Sequence, residues 1–204
     1  MANFISIFRI FVAFLAIYLL FWQTTLAYGL ALILTAIAFA LDGLDGYIAR
    51  KFNESSDLGS VLDIMGDRIV EASYWIVFAV LGWINILFPL ICVTRAFVTD
   101  SLRSVALAQG YTAFGAKSMQ SSKLGQIICS SRFTRISYAV AKVAAFILLI
   151  AANTPGIEIF EHYETVNTVA IILAWIAIIF CVVRGLPVVF ESGKLFENAK
   201  NGKA

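Results

Sequence analysis

Six apolar runs, each long enough for a helix that crosses a bilayer, alternate with polar stretches along this chain. They cover about residues 4–22, 26–49, 60–81, 86–108, 136–152 and 166–190. Between the second and third lies a polar loop from Arg50 to about Gly59, with Lys51, Asn53, Glu54, Ser55, Ser56 and Asp57. Gly82-Trp83-Ile84-Asn85 reads as a tight aromatic turn, and residues 109–135 as a polar, basic connection. A short acidic loop precedes the last run, and Arg184-Gly185-Leu186-Pro187 is expected to kink or end it. The pattern predicts an all-α membrane protein, a six-transmembrane-helix bundle forming one domain over residues 1–204, without internal repeats.

Composition strengthens that reading. Of 204 residues 61% are hydrophobic, against about 45–50% in an average soluble domain. No cleavable signal peptide is expected, because the apolar run after Arg9 leads straight into Tyr18-Leu19-Leu20-Phe21-Trp22 without a small-residue cleavage site. The net charge of +2 says little, but the placement of the cations orients the chain. Arg9, Arg50, Lys51, Arg68, the basic residues of 109–135 (Lys117, Lys123, Arg132, Arg135) and Lys194, Lys200 and Lys203 fall on one face, and the opposite loops hold no Lys or Arg. The positive-inside rule then puts both termini in the cytosol, in a multi-pass protein that in a bacterium would sit in the cell inner membrane. No nucleic-acid partner is expected. Cys92, Cys129 and Cys181 lie far apart without metal-ligand spacing and read as thiols packed as small hydrophobes.

Against this background, one stretch is out of place. Asp42 and Asp45 end the second run, and Asp63 and Asp67 open the third. A charged side chain within a membrane helix costs roughly 2.5–3.5 kcal/mol on insertion scales. Asp42 and Asp45 are three residues apart and Asp63 and Asp67 four apart, so each pair shares a helix face. The short loop makes the two helices antiparallel neighbours, which lets the faces meet. Hard cations such as Mg²⁺ take oxygen ligands, usually carboxylates plus substrate phosphates, and two of them can clamp an in-line displacement at phosphorus. Gly43, Gly46 and Gly59 leave room for a nucleotide or a helix, and Arg50 offers a fork of donors to a phosphate. The alternative is that the acids pair with Arg50, Lys51 and Arg68 or line a water-filled path. A transporter would also bury acids, but near the midplane and in repeated segments. These acids lie at the cytosolic edge, which favours a cytosol-facing active site.

The pattern Asp-x2-Asp-Gly-x2-Ala-Arg-x8-Gly-x3-Asp-x3-Asp resembles the signature of the CDP-alcohol phosphatidyltransferase family; Asp42, Asp45, Gly46, Ala49, Arg50, Gly59, Asp63 and Asp67 fill its specified positions. The resemblance extends over essentially the whole chain. It implies transfer of a phosphatidyl or related group from a CDP-linked donor, such as CDP-diacylglycerol, to an alcohol, with release of CMP. It implies two divalent ions, Mg²⁺ or Mn²⁺, on Asp42, Asp45, Asp63 and Asp67, with Asp67 also the general base on the acceptor hydroxyl. Gly46, Arg50, Ser56 and Gly59 would contact the donor. Asn3-x2-Ser6-x2-Arg9 is similar to the family's Asn-x2-Thr-x2-Arg opening, which puts Ser6 near the nucleotide as well.

A second polar group lies in the fourth run. Arg95 and Arg103 are eight residues apart on similar faces, and Asp100 stands three before Arg103. They form either a self-neutralising network or, with Lys123, an anion pocket for a phosphate on the acceptor. Arg95, Leu102, Arg103 and Gly110 resemble the fourth span of phosphatidylglycerophosphate synthases, although Ala96 stands where those have Glu. Asp67-Arg68 looks more like phosphatidylinositol synthases. The expected acceptor is therefore sn-glycerol 3-phosphate, with inositol or inositol phosphate as the alternative. Among the remaining features, Arg132, Arg135 and Lys142 are read as topology signals. Glu158, Glu161, His162 and Glu164 are read as a solvated loop, and Trp75, Phe88, Phe97 and Trp175 as packing and interface anchors. Ala72, Ser73, Ala79 and Gly82 permit the close helix approach a homodimer would use.

Overall fold

The computed structural model describes residues 2–51, 57–108, 131–156 and 163–193, together with 122, 125, 127 and 128. Among the described residues there are six long helices and no strand: α1 (Ala2–Leu20), α2 (Thr25–Lys51), α3 (Asp57–Val80), α4 (Leu87–Ala108), α5 (Arg132–Ala152) and α6 (Tyr163–Glu191). Each apolar run is a helix. Three carry segments long and apolar enough to cross a membrane, Thr25–Gly43, Phe133–Ala152 and Tyr163–Glu191, and Phe4–Leu20 is a shorter apolar helix. The charges of α3 (Asp63, Asp67, Arg68, Glu71) and α4 (Arg95, Asp100, Arg103) dilute those two helices. Large apolar side chains such as Phe4, Phe11, Ile33, Val80, Leu90 and Ile179 are exposed, as lipid-facing positions are.

Two boundaries differ from expectation. The loop between α2 and α3 is shorter than residues 50–59, because α2 continues to Lys51 and α3 begins at Asp57. Arg50 is thus helical, and Gly59 lies in the first turn of α3. Nor does α6 end at Arg184-Gly185-Leu186-Pro187; it runs through Pro187 to Glu191. A proline forfeits one backbone bond, and neighbouring groups in membrane helices commonly make good that loss.

Local chemistry explains the turns. Thr24 caps α2, its Oγ1 accepting from the Ala27 N–H at 3.3 Å. At the end of α3, Gly82 adopts φ +78°, the Trp83 N–H reaches Phe78 O at 2.9 Å, and the Gly82 N–H reaches Ala79 O at 3.1 Å. This is a Schellman motif, and its apolar contact is also present: Trp83 stacks on Phe78 with centroids 5.1 Å apart. Asn85 then caps α4, its Oδ1 accepting from the Leu87 N–H at 2.9 Å.

The described contacts divide the chain into two compact units, residues 1–89 with 143–174, and residues 90–142 with 175–204. In the first, α1 packs on α2 and α3. Its buried face runs Ser6, Arg9, Ala13, Ala16, Leu20, a helical stripe whose alanines let neighbours approach closely. The buried face of α2 runs Tyr28, Ala31, Thr35, Ala38. The core is aromatic. Phe146 lies with its ring centroid 4.7 Å from Trp75, 5.1 Å from Tyr74, 5.4 Å from Phe78 and 5.8 Å from Phe39. The Tyr74 hydroxyl meets Thr35 Oγ1 at 2.7 Å, which satisfies both buried groups. Phe146→Ala would open a cavity on all four rings, and we expect it to cost about 3–5 kcal/mol. Thermal unfolding in detergent measures the loss; an unchanged midpoint would show that the cluster does not hold the unit together.

In the second unit, Cys92 and Cys181 are buried thiols outside any disulfide. Gly185 explains itself here: a Cβ at that position would stand 3.0 Å from Arg95 Cγ and 3.3 Å from its Nε. The Arg184 guanidinium and the Lys142 ammonium lie 5.5 and 5.3 Å from the centroid of the Tyr138 ring. Glu191 accepts a bond from the Ser122 hydroxyl. Of the anchors expected from sequence, Trp75 and Phe88 are buried in the first unit, whereas Phe97 and Trp175 are exposed.

Candidate active site

The site grows out of three helix faces. Asp42 continues the buried stripe of α2, one turn beyond Ala38. Asp63 and Asp67 stand one turn apart on α3, above Val70, Tyr74 and Phe78. One carboxylate oxygen from each of Asp42, Asp63 and Asp67 lies within 4.8 Å of the others. The predicted meeting of the α2 and α3 faces is therefore observed for three of the four acids. Their side chains are 38%, 50% and 47% exposed, so the group opens outward and is reachable by a charged substrate.

A cation from the first helix enters this group. Arg9 is only 2% exposed, on the buried stripe of α1. Its Nη1 pairs with Asp42 Oδ1, and its Nη2 lies 3.2 Å from Asp63 Oδ1 and 3.1 Å from Asp67 Oδ1. Nη2 also donates to the Asp63 main-chain oxygen at 3.0 Å. Sequence reasoning places Arg9 among the topology signals and, by resemblance, near the nucleotide; its contact with three carboxylates is an addition. The signal that could have found it is a lone charge on a face whose other members, Ser6, Ala13 and Ala16, are small and uncharged. Arg68, a candidate partner for the acids, approaches the buried Glu71 at 3.9 Å.

The other candidates are placed as follows. Ser6 is buried one turn before Arg9. Asp45, Gly46 and Arg50 lie on the helical backbone of α2, and their side chains and surroundings fall outside the described residues. Ser56 and Lys123 lie wholly outside them, as do Cys129, Glu158, Glu161 and His162. Gly43 has nothing within 4 Å of where a Cβ would stand, so no described neighbour requires a glycine there. In the second unit Asp100 and Arg103 pair at 3.7 Å, as their spacing suggests. Arg95 lies outside that pair, and among the described residues its buried Nε has no hydrogen-bond partner. Self-neutralisation thus describes Arg103 better than Arg95.

The donor set fits a divalent cation. Three carboxylates converge from two helices, all ligand atoms are oxygens, and half-exposed side chains leave room for water or a phosphate oxygen to complete a coordination shell.

Comparison with known proteins agrees with this chemistry. The chain is 27% identical over 172 residues to a protein of Rickettsia typhi named CDP-diacylglycerol–glycerol-3-phosphate 3-phosphatidyltransferase, covering 81% of this chain and 96% of that one. A Bacillus subtilis protein of the same name is 25% identical over 144 residues, 67% of this chain and 75% of its own. A Candida albicans CDP-diacylglycerol–inositol 3-phosphatidyltransferase is 38% identical over 58 residues, 28% of this chain and 23% of that one. The match to the family itself runs over residues 1–183, through α1 to α5 and most of α6. By that match and by the acidic site it contains, the chain belongs to the CDP-alcohol phosphatidyltransferase family and is an enzyme of that class.

Proposed function

We propose that this enzyme transfers the phosphatidyl group of CDP-diacylglycerol to sn-glycerol 3-phosphate and releases CMP. The convergence of Asp42, Asp63 and Asp67 in a chain of this family carries the reading. Asp42, Asp45, Asp63 and Asp67 would hold two divalent ions, Mg²⁺ or Mn²⁺, which when bound would supply charge neutralisation for the donor diphosphate and the CMP leaving group. Ser6, Gly46, Arg50, Ser56 and Gly59 bind the donor. Asp67 takes the proton of the acceptor hydroxyl as its oxygen attacks the phosphorus that bears diacylglycerol, and the bond from that phosphorus to CMP breaks. Displacement is direct, since the acids are committed to the cations. Trapping a phosphatidyl-enzyme would overturn that step.

Arg95, Arg103 and Lys123 bind the acceptor phosphate. Arg95 supports this best, as a cation of the fourth helix outside the Asp100–Arg103 pair. The names of the relatives from Rickettsia typhi and Bacillus subtilis support glycerol 3-phosphate. Inositol or inositol phosphate is the second reading, supported by Asp67-Arg68 and by the shorter, more identical match to the Candida albicans protein. The chain is one catalytic domain of six spans, with termini and active site in the cytosol and, in a bacterium, in the cell inner membrane; it works as a homodimer. CMP release from CDP-diacylglycerol by the purified protein, with glycerol 3-phosphate, inositol, inositol phosphate or serine supplied in turn, tests the assignment. Glycerol 3-phosphate should give the fastest release, and activity with serine alone would overturn both acceptor readings.

A further inference from the structure

We propose that Arg9 is a built-in counter-ion that competes with divalent cations for the carboxylate site, so that metal loading requires its guanidinium to be displaced. The inference rests on the metal-binding reading above and adds a control on it. One guanidinium touches all three acids: Nη1 on Asp42, and Nη2 on Asp63 and Asp67 at 3.2 and 3.1 Å. These are the acids whose oxygens cluster within 4.8 Å. A divalent ion needs carboxylate oxygens at about 2.0–2.6 Å, and a second cation so near it is repelled. For the ion to reach the same oxygens, the Arg9 guanidinium has to move.

The surroundings are built for this contact. Gly66 lies between Asp63 and Asp67 on α3, and a Cβ there would stand 3.0 Å from Arg9 Nη2, 3.5 Å from Nε and 3.6 Å from Cζ. Glycine at this position leaves the guanidinium its space. Among the described residues the buried Arg9 Nε has no hydrogen-bond partner, and the contacts of the head group run through its two terminal nitrogens. Such a group holds the acids together and remains displaceable by an ion of higher charge.

Mn²⁺ binding to the full chain in detergent, read by electron paramagnetic resonance, and thermal unfolding in EDTA or Mg²⁺ test the proposal. Arg9→Met keeps the apolar stem and removes the charge. Gly66→Ala keeps Arg9 and crowds only the end of a flexible side chain. We expect Arg9→Met to bind Mn²⁺ about tenfold more tightly than the parent, and to unfold at a lower temperature in EDTA but not in Mg²⁺. Gly66→Ala should tighten Mn²⁺ binding by a smaller factor. Should Arg9→Met fail to fold, Gly66→Ala alone decides. Mn²⁺ binding by the parent with no gain in the variants overturns the role of Arg9 and leaves the metal site standing. Failure of every form to bind Mn²⁺ overturns the metal site and, with it, this inference.

Discussion

Asp67→Asn should lower CMP release by about 10³-fold or more while the protein still inserts and folds. The substitution keeps the shape of the side chain and removes its charge and its ability to take a proton. Asp67 is 47% exposed and lies at the open end of the site, above the aromatic cluster of Tyr74, Trp75, Phe78 and Phe146, so the core does not depend on it. One of its oxygens lies 3.1 Å from Arg9 Nη2, and an amide oxygen can keep a weaker form of that bond. CMP release in detergent, run beside a size-exclusion profile and a melting curve, separates chemistry from folding. Asp63→Asn is the control, because it removes a carboxylate from the same helix face without touching the proposed base. Near-normal transfer by Asp67→Asn would sink the base assignment, whatever Asp63→Asn does.

The helices were legible because hydrophobic runs of bilayer length admit few other readings, and because Gly82-Trp83-Ile84-Asn85 marks the turn between α3 and α4. The meeting of Asp42 with Asp63 and Asp67 was legible too, since the short connection forces α2 and α3 together. What sequence could not supply was the partner. Arg9 is separated from Asp42 by 33 positions and from Asp63 by 54, and nothing local ties them. Only the packing of α1 on α2 and α3 brings the guanidinium to the acids. The same limit explains Pro187. Read alone, Gly185-Leu186-Pro187 looks like a break; in the folded chain the glycine accommodates Arg95 and the helix continues to Glu191. Glu71 shows the limit from the other side: its spacings of four from Asp67 and three from Arg68 are visible in the sequence, yet its burial appears only in three dimensions.

Stripping divalent ions should abolish turnover without unfolding the chain, and added Mg²⁺ or Mn²⁺ should restore it. On the proposed reading the reaction would need the cations, because a diphosphate beside Asp42, Asp63 and Asp67 is repelled unless enough positive charge stands between them. Folding does not need them to the same degree. Clustered carboxylates with no cation would destabilise the helix pair, since like charges this close repel one another. Here Arg9 supplies a charge that touches Asp42, Asp63 and Asp67 together, and the aromatic core joins α2, α3 and α5 through Phe39, Tyr74 and Phe146. Dialysis against EDTA, followed by CMP release and a melting curve on one sample, reads both consequences. Full activity after exhaustive chelation would remove the divalent ions from the reaction. Unfolding on chelation would show that Arg9 cannot balance the acids and that the ions are structural as well as catalytic. The expected pattern, activity lost and fold kept, follows from one guanidinium placed where the fold needs charge balance and the chemistry needs a stronger cation.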